Sequence, residues 1–361
     1  MIAATDIARR RLAAQRISRT EFIRPEQVVS WLGAVQAQDY LGALWAVGLR
    51  LTEARDRDVE RALEEGKIVR TWPMRGTLHF VAAPDVRWMT ELLAPRAAKA
   101  AASRLRALGI DEPVLARARR VLVKHLEGGR RLTRPAAYRV LEREKIATAA
   151  TRGLHVLWRL AHDCLLCFGP RAGKQQTFVL FDDWLPQAKG LPREEALAEL
   201  ALRYFTGHGP ATVHDFAWWS GLKVSDAHLA IHLAGKRIDE ESIDGRRHWF
   251  GGSSTRSPTS RTRAHVLPAF DEFLVAYANR AAAIDPADSV HLNAGGGILN
   301  PAIVVDGRVV GIWRRRFEGR EVRFALAPFS DLSKAKTRAV GVALRRYARF
   351  IGFDVRPPSR G

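Results

Sequence analysis

Residues 68–81 read IVRTWPMRGTLHFV and place two β-prone runs on either side of Arg75–Gly76. Such runs around a glycine turn predict a β-hairpin. Helix signals precede this stretch, and the last of them runs from Asp56 to Glu65 and ends at Gly66, a residue suited to a helix C-cap. Helices followed by a hairpin are the layout of a winged helix, in which a helix–turn–helix core carries a strand wing.

The same order of signals recurs twice downstream. Helical patterns from Pro113 to Asp163 lead to strand runs that flank the basic turn at 169–174, and a third round begins at Arg193 and closes on strands around Gly245. Rounds spaced by roughly 70–90 residues predict three tandem winged-helix units.

Beyond Phe250 the composition changes to the polar, basic connector GGSSTRSPTSRTR. Strand runs follow around Asp306–Gly307, a strong hairpin signal, and a last helix covers about Ser330 to Ile351. We therefore predict a mainly helical α+β fold of three winged-helix units and a C-terminal β-barrel-like domain. The predicted boundaries are 1–110, 111–185, 186–250 and 251–361.

The charge of the chain indicates a polyanionic partner. Lys plus Arg number 58 against 38 Asp plus Glu, which gives a net charge of +20 and a pI near 10.9. Such an excess favours salt-dependent binding to nucleic acid. Arginine enrichment from a GC-rich genome is the competing explanation, and we weigh DNA above it.

Several classes of protein are disfavoured. Two cysteines imply no disulfide framework, and the Arg-rich N-terminus lacks the apolar core of a signal peptide. No apolar run approaches the length of a membrane span, so the bacterial cytoplasm is the expected compartment. The Walker A, Rossmann, HExxH and GxSxG motifs are missing from the sequence, and no cofactor is implied.

Two clusters invite a chemical interpretation. His162, Cys164 and Cys167 have the types of a metal site, but no second pair of ligands lies nearby in sequence, so we expect buried small residues and no metal. Asp271–Glu272 could be an acid–base pair. We expect them to lie in a strand, where adjacent side chains point to opposite faces, so a shared site is disfavoured and structural roles are favoured.

Basic residues at two places are candidates for contact with phosphate. Arg314, Arg315 and Arg316 follow the predicted C-terminal hairpin and form either a phosphate-contacting patch, which the global charge favours, or a solvated edge. The connector arginines are interpreted in the same way; they are Arg256, Arg261 and Arg263.

The segment Gln36-Ala37-Gln38-Asp39-Tyr40 follows the second predicted helix, and by itself it indicates only polar residues at a helix end. Five stretches change that interpretation. They resemble the winged-helix family that contains the AlkZ-type DNA glycosylases, and they span nearly the whole chain: AVQAQDYLGALWAVGLR, TWPMRGTLHFV, YFTGHGPATVHDFAWWSGL, LPAFDEFLVAYANR and NPAIVVDGRVVGIWRRR.

The resemblance implies three tandem winged helices and a C-terminal β-barrel-like domain around a concave DNA-binding surface. Its catalytic signature is Gln, a usually apolar residue, then Gln or Asp, which here is Gln36-Ala37-Gln38. Family members are associated with excision of N7-alkylated guanine and with unhooking of interstrand crosslinks, including those of azinomycin-like natural products. Double-stranded DNA is then the expected partner of a monomeric, monofunctional glycosylase.

Two amides suit this chemistry. An N7-alkylated purine is already cationic, so the enzyme needs mainly to place a water at C1′ and to put partial negative charge near it, which a Gln carbonyl can do without a shifted pKa. Residues two apart in an extended segment share a face, so we expect Gln38 to position the water and Gln36 to support the sugar cation. Asp39 should point elsewhere.

The predicted first hairpin is a candidate DNA contact through Trp72, Arg75, Thr77 and His79, with hairpin packing as the alternative for Trp72 and Thr77. Two other functions stay open. A non-catalytic winged-helix regulator or architectural binder explains charge and fold but not Gln-x-Gln. A small-molecule enzyme with a basic surface lacks recognisable site chemistry.

Overall fold

The computed structural model describes residues 4–252 and 262–355, so Arg256 and Arg261 lie outside the described residues. The fold is mixed α+β, as predicted. In the described ranges no helix is both long and apolar enough to cross a membrane.

The first part of the chain forms a short three-stranded sheet against helices. Strand β1 pairs with β3, and β3 pairs with β2, which confirms the predicted hairpin. Arg75 and Gly76 both have positive φ (55° and 71°), which a tight two-residue hairpin turn requires. The elements, in order, are α1 (Ala4–Ala14), α2 (Pro25–Leu32), β1 (Val35–Gln36), α3 (Tyr40–Gly48), α4 (Asp56–Glu64), β2 (Ile68–Met74) and β3 (Thr77–Ala82).

The second part repeats this order after two connecting helices. Its first strand again pairs with the third, which pairs with the second. The elements are α5 (Val86–Ala100), α6 (Ala102–Ala107), α7 (Glu112–Leu126), β4 (Leu132–Thr133), α8 (Arg134–Arg143), α9 (Arg152–His162), β5 (Leu166–Ala172), β6 (Gln175–Leu180) and α10 (Phe181–Trp184).

The third part has the same order, with a single bridge between Ala211 and Trp249 in place of the short first strand. Thr212 caps the second helix of this part by accepting a hydrogen bond from the Asp215 N–H. The elements are α11 (Arg193–His208), α12 (Val213–Ser220), α13 (Val224–Ala234), β7 (Asp239–Ile243) and β8 (Arg246–Phe250).

The C-terminal part is an open, half-barrel sheet with one long helix packed on it. Its strand order is β15-β14-β13-β12-β9, and within the described ranges the edge strands do not pair, so the sheet is barrel-like without closing. The elements are β9 (Ala264–Leu267), α14 (Glu272–Val275), α15 (Ser289–Leu292), β10 (Asn293–Gly295), β11 (Ile298–Leu299), β12 (Ala302–Val305), β13 (Arg308–Glu318), β14 (Glu321–Pro328), α16 (Lys334–Ile351) and β15 (Asp354–Val355).

One hydrophobic core joins the first part of the chain to the C-terminal part. Tyr347 on α16 packs edge-on against both Trp45 and Trp313, with ring centroids 5.1 and 5.0 Å apart. The Trp45 and Trp313 indoles each donate to a carbonyl of β9, at Val266 and Leu267. The first part of the chain and the C-terminal part therefore share one core, although they were predicted from sequence to be separate domains.

Candidate active site

The Gln-x-Gln segment lies at the edge of the first sheet. Gln36 stands opposite His79 in the ladder, and the Ala37 N–H donates to the Leu78 carbonyl at 2.7 Å. The Arg70 guanidinium donates twice to the Ala37 carbonyl, at 2.7 and 3.1 Å. The backbone of the motif is therefore fixed by β-pairing on one side and by a cation on the other.

The two glutamines have different surroundings. Gln36 is 9% exposed, whereas Gln38 is exposed and its Oε1 accepts from the Leu78 N–H at 3.2 Å. An amide oxygen has a second lone pair, so this bond orients Gln38 without consuming its capacity to accept. The Asp39 carboxylate folds back against Gly42, away from the cavity described below, in agreement with the expectation that it points elsewhere.

The side chain of Gln36 is held by a neighbouring cation. Arg75 Nη2 donates to Gln36 Oε1 at 3.3 Å and lies 3.3 Å from His79 Nε2. His79 Nδ1 is 2.9 Å from the Thr77 carbonyl, which assigns the proton to Nδ1 and leaves Nε2 to accept from Arg75. Burial, with the charge of Arg75, lowers the pKa of His79 to about 3, so this ring is neutral at physiological pH.

A fully buried carboxylate lies behind Gln36. Glu272 Oε1 accepts from the Gln36 backbone N–H at 2.8 Å, and its Oε2 accepts from Trp219 Nε1 at 3.0 Å and lies 3.6 Å from His208 Nε2. Burial raises the pKa of Glu272, but the neighbouring His208 and the hydrogen bond from the Gln36 N–H outweigh it, so the pKa is lowered and the carboxylate is ionised.

A cavity of about 670 Å³ opens beside Gln36, a size in the range of binding sites for small molecules. Trp218, 50% exposed, forms part of its wall and is fixed by an Nε1 hydrogen bond to the Val275 carbonyl at 3.1 Å. The polar side chains that line it are Gln36, Arg75, Thr77, Asn279, Arg280, Ser289 and Asn293. Gln38 is not among its lining residues, so convergence of the two amides on one atom stays a prediction.

The structure corrects two of the four DNA contacts expected in the first hairpin. Trp72 is 6% exposed and packs on Phe168 of β5 with ring centroids 5.0 Å apart, and His79 is fully buried. Both are packing residues because their surfaces are covered by protein. Arg75 and Thr77 are half-buried and line the cavity.

The three arginines on β13 that were candidates for contact with phosphate lie on two different faces of the strand. Arg314 and Arg316 are exposed, whereas Arg315 points to the opposite face and lies over the Tyr347 ring at 5.3 Å. Arg314 and Arg316 therefore stay candidates for contact with phosphate, whereas Arg315 is half-buried and packs on Tyr347. Arg263 is exposed and donates to the Ser18 carbonyl at 2.7 Å.

The cysteines and His162 belong to the protein interior. Burial raises the pKa of Cys164 to about 12 and that of Cys167 still further, which disfavours the thiolate form that binds metals. The His162 ring lies 3.9 Å from the Trp158 ring, and both its nitrogens are buried without a hydrogen-bond partner. In the described residues no group of three or more His, Cys, Asp or Glu is placed to hold a metal ion.

His162 gives a testable pH dependence. Burial lowers its pKa to about 4, below the value of roughly 6.5 in the unfolded chain, so its contribution to stability is complete above pH 6.5 and is lost as the pH falls towards 4. We expect about 2 kcal/mol of destabilisation from this group at pH 5. From pH 7 to pH 5, the free energy of unfolding of His162→Phe in urea titrations should fall by less than that of the wild type, and equal losses would contradict the assignment.

The expectation that Asp271 and Glu272 lie in a strand is wrong. Asp271 caps α14 by accepting from the Phe273 N–H, and it forms a fully buried, two-bonded ion pair with Arg50. The role of Glu272 was missed because its partner Gln36 is 236 residues away, beyond any local pattern. The Trp218–Trp219 doublet was the available signal, since one ring faces the cavity and the other reaches Glu272.

Comparisons with known proteins show the family and the fold of the chain. A family model described as DNA glycosylase AlkZ-like matches residues 29–350. The chain is 26% identical to the interstrand DNA cross-link repair glycosylase of Streptomyces sahachiroi, over 96% of this chain and 98% of that protein. The solved structure of Streptomyces sahachiroi DNA glycosylase AlkZ matches with a TM-score of 0.82 at 24% identity, over 99% of this chain and 100% of that one, which shows a shared fold. Since the family model spans most of the chain, this protein belongs to the AlkZ-like DNA glycosylase family.

Proposed function

We propose that this protein excises N7-alkylated guanine from double-stranded DNA by hydrolysis of the C1′–N9 bond, acting as a monofunctional glycosylase without a cofactor. The observation that carries the proposal is the position of Gln36, whose amide is fixed by Arg75 at the wall of a cavity large enough for a nucleobase. The neutral state of His79 supports a mechanism without a protonated general acid, because a cationic N7-alkylated guanine takes the electron pair of the C1′–N9 bond and leaves as a neutral base without being protonated.

The two glutamines are assigned different tasks. Gln38, exposed and oriented by the Leu78 N–H, presents an amide oxygen that accepts from the attacking water. Gln36 supports the sugar as positive charge develops at C1′, through the lone pair of Oε1 that Arg75 does not use. The electron pair of the C1′–N9 bond leaves with the base, the water oxygen keeps one proton as the new C1′ hydroxyl, and its other proton passes to bulk solvent through the open side of the cavity.

We infer that each of the three repeats is a winged-helix unit, with boundaries near 111, 186 and 251. Support comes from the shared element order, from the pairing of the first strand with the third in two repeats, and from the Ala211–Trp249 bridge at the same place in the third repeat. Tandem units place several helix–hairpin surfaces along one duplex, and the net charge of +20 supplies the attraction to phosphate. The protein would act on duplex DNA as a monomer in the bacterial cytoplasm.

We further propose that the substrates include N7-guanine interstrand crosslinks, since the curated relative is named an interstrand DNA cross-link repair glycosylase. A crosslinked base cannot rotate fully out of the duplex, and the open cavity beside Gln36 does not require that it do so. The test is a duplex with one such crosslink, resolved on a denaturing gel. Separated strands are expected, one with an abasic site and the other carrying the crosslink and the excised base on its own guanine, and strands that stay linked despite binding would contradict this substrate.

The exposed pair on β13 gives a prediction for DNA binding. Arg314→Ala and Arg316→Ala should each lower affinity for any duplex sequence and reduce the slope of log K against log salt by about 1, because each removes one phosphate contact. Arg315→Ala is the matched control, since Arg315 packs on Tyr347 from the other strand face. Fluorescence anisotropy at several salt concentrations measures the slope, and equal slopes for all three variants would refute the assignment.

A further inference from the structure

The charges that line the cavity beside Gln36 are unfavourable for the proposed reaction. Its described lining includes the cations Arg75 and Arg280 and no carboxylate. The proposed reaction starts from a cationic base and moves positive charge onto the sugar, and like charges in a partly dehydrated site repel strongly. The two glutamines contribute only dipoles. A compensating anion is therefore needed close to the motif.

Glu272 lies where this compensating anion is needed, directly behind Gln36. It is fully buried, and it bonds directly to the Gln36 backbone N–H at 2.8 Å, on the side of the motif away from solvent. It interacts electrostatically with both Arg75 and His79, the two groups that surround the Gln36 amide. A charge without contact to water is poorly screened, so its potential reaches the cavity.

Ordinary structural support does not explain why this group is a carboxylate. The Gln36 N–H and the Trp219 indole N–H each need only a neutral acceptor, which a glutamine oxygen or a backbone carbonyl would supply. A buried charge costs stability unless it is compensated. His208 Nε2 lies 3.6 Å from the carboxylate, beyond hydrogen-bond distance, and Tyr204 and Trp219 enclose the His208 ring.

We propose that Glu272 is a positioning residue of the glycosylase reaction: it holds the Gln36 peptide and supplies the negative potential that stabilises the sugar cation beside Arg75. This inference rests on the proposed function and adds to it the source of charge stabilisation. Glu272 does not touch the DNA. It acts through the strand that it supports and through space.

The test compares binding of two uncleavable duplexes at one ionic strength. One carries a pyrrolidine abasic analogue, protonated at neutral pH, and the other carries neutral tetrahydrofuran at the same position. The wild type should bind the cationic analogue at least about tenfold more tightly. Equal binding, or a preference for the neutral ring, would overturn the inference without any variant, even if Glu272 variants fail to fold.

Variants then separate charge from shape. Glu272→Gln should bring the ratio of the two affinities close to one and lower kcat about 100-fold with little change in KM. Glu272→Asp keeps the charge, so it should retain the ratio while losing rate through the shorter reach to Gln36. Glu199→Gln, which removes a carboxylate paired with Arg203 on α11, is the matched control. A Glu272→Gln protein that retains the wild-type ratio, or a Glu272→Asp protein that loses it, would refute the role of charge.

Failure of the inference and failure of the proposed function give different results. Analogue binding requires no chemistry, so it reports on the potential at C1′ alone. A wild type that releases no alkylated base would overturn the proposed function. A wild type that releases base but does not distinguish the two analogues would overturn only the role assigned to Glu272.

Discussion

Replacing Arg50 by methionine should lower the free energy of unfolding by about 3–5 kcal/mol, because it leaves the Asp271 carboxylate buried without its cation. Arg50 is fully buried, and all five of its N–H groups donate: two to Asp271 at 2.9 Å, two to Gln15 and one to the Ala46 carbonyl. The pair joins the first part of the chain to the segment that begins α14. Excision should fall as well, since Glu272 follows Asp271 directly.

Urea denaturation followed by circular dichroism measures the loss. Arg57→Met removes an exposed arginine from α4 and should change stability by no more than about 0.5 kcal/mol. A double variant, Arg50→Met with Asp271→Leu, should recover much of the loss because no unpaired charge remains. If Arg50→Met is as stable as Arg57→Met, the Arg50–Asp271 ion pair does not stabilise the contact between the first part of the chain and α14.

Removing the Gln38 amide should lower the rate of base excision by about 10²–10³-fold, with DNA affinity nearly unchanged. Gln38→Ala deletes the acceptor that places the water, whereas its exposed position means that little packing is lost. Gln36→Ala should cause a loss of similar size and also release Arg75 into the cavity, because Arg75 donates to the Gln36 oxygen.

Asp39→Ala is the control for both glutamine variants, since its carboxylate folds back against Gly42 and should affect the rate by less than about tenfold. Single-turnover kinetics on a duplex with one N7-methylguanine separate the chemical step from binding. Equal losses in Gln38→Ala and Asp39→Ala would contradict the assignment of the water-positioning role to Gln38.

Local patterns predicted the elements of the fold well. The hairpin at 68–82 and the hairpin turn at Asp306–Gly307 are both confirmed, since each depends on β-prone runs beside residues that accept positive φ. Strand β1 was not predicted. It has only two residues, and it is a strand because β3 pairs with it.

The environment of the site could not be read from local patterns. The position of Trp72 in the predicted wing left both DNA contact and hairpin packing open. In the structure, Phe168 of the second repeat packs against Trp72. Glu272 and Gln36 meet only because the C-terminal part shares a core with the first part. The motif thus marks the candidate catalytic segment in the sequence, whereas the burial and the charged neighbours of that segment depend on long-range packing.

The most direct test of the proposed glycosylase activity is the release of free base by the wild-type protein from a duplex with a single N7-methylguanine. Mass spectrometry identifies the released base, and alkaline cleavage of the strand measures the abasic sites. We expect free N7-methylguanine in equal amount to abasic sites, at a rate that Gln38→Ala lowers by about 10²–10³-fold. Salt-sensitive binding to the duplex with no released base would contradict it, and would identify the chain as a DNA-binding protein without glycosylase chemistry.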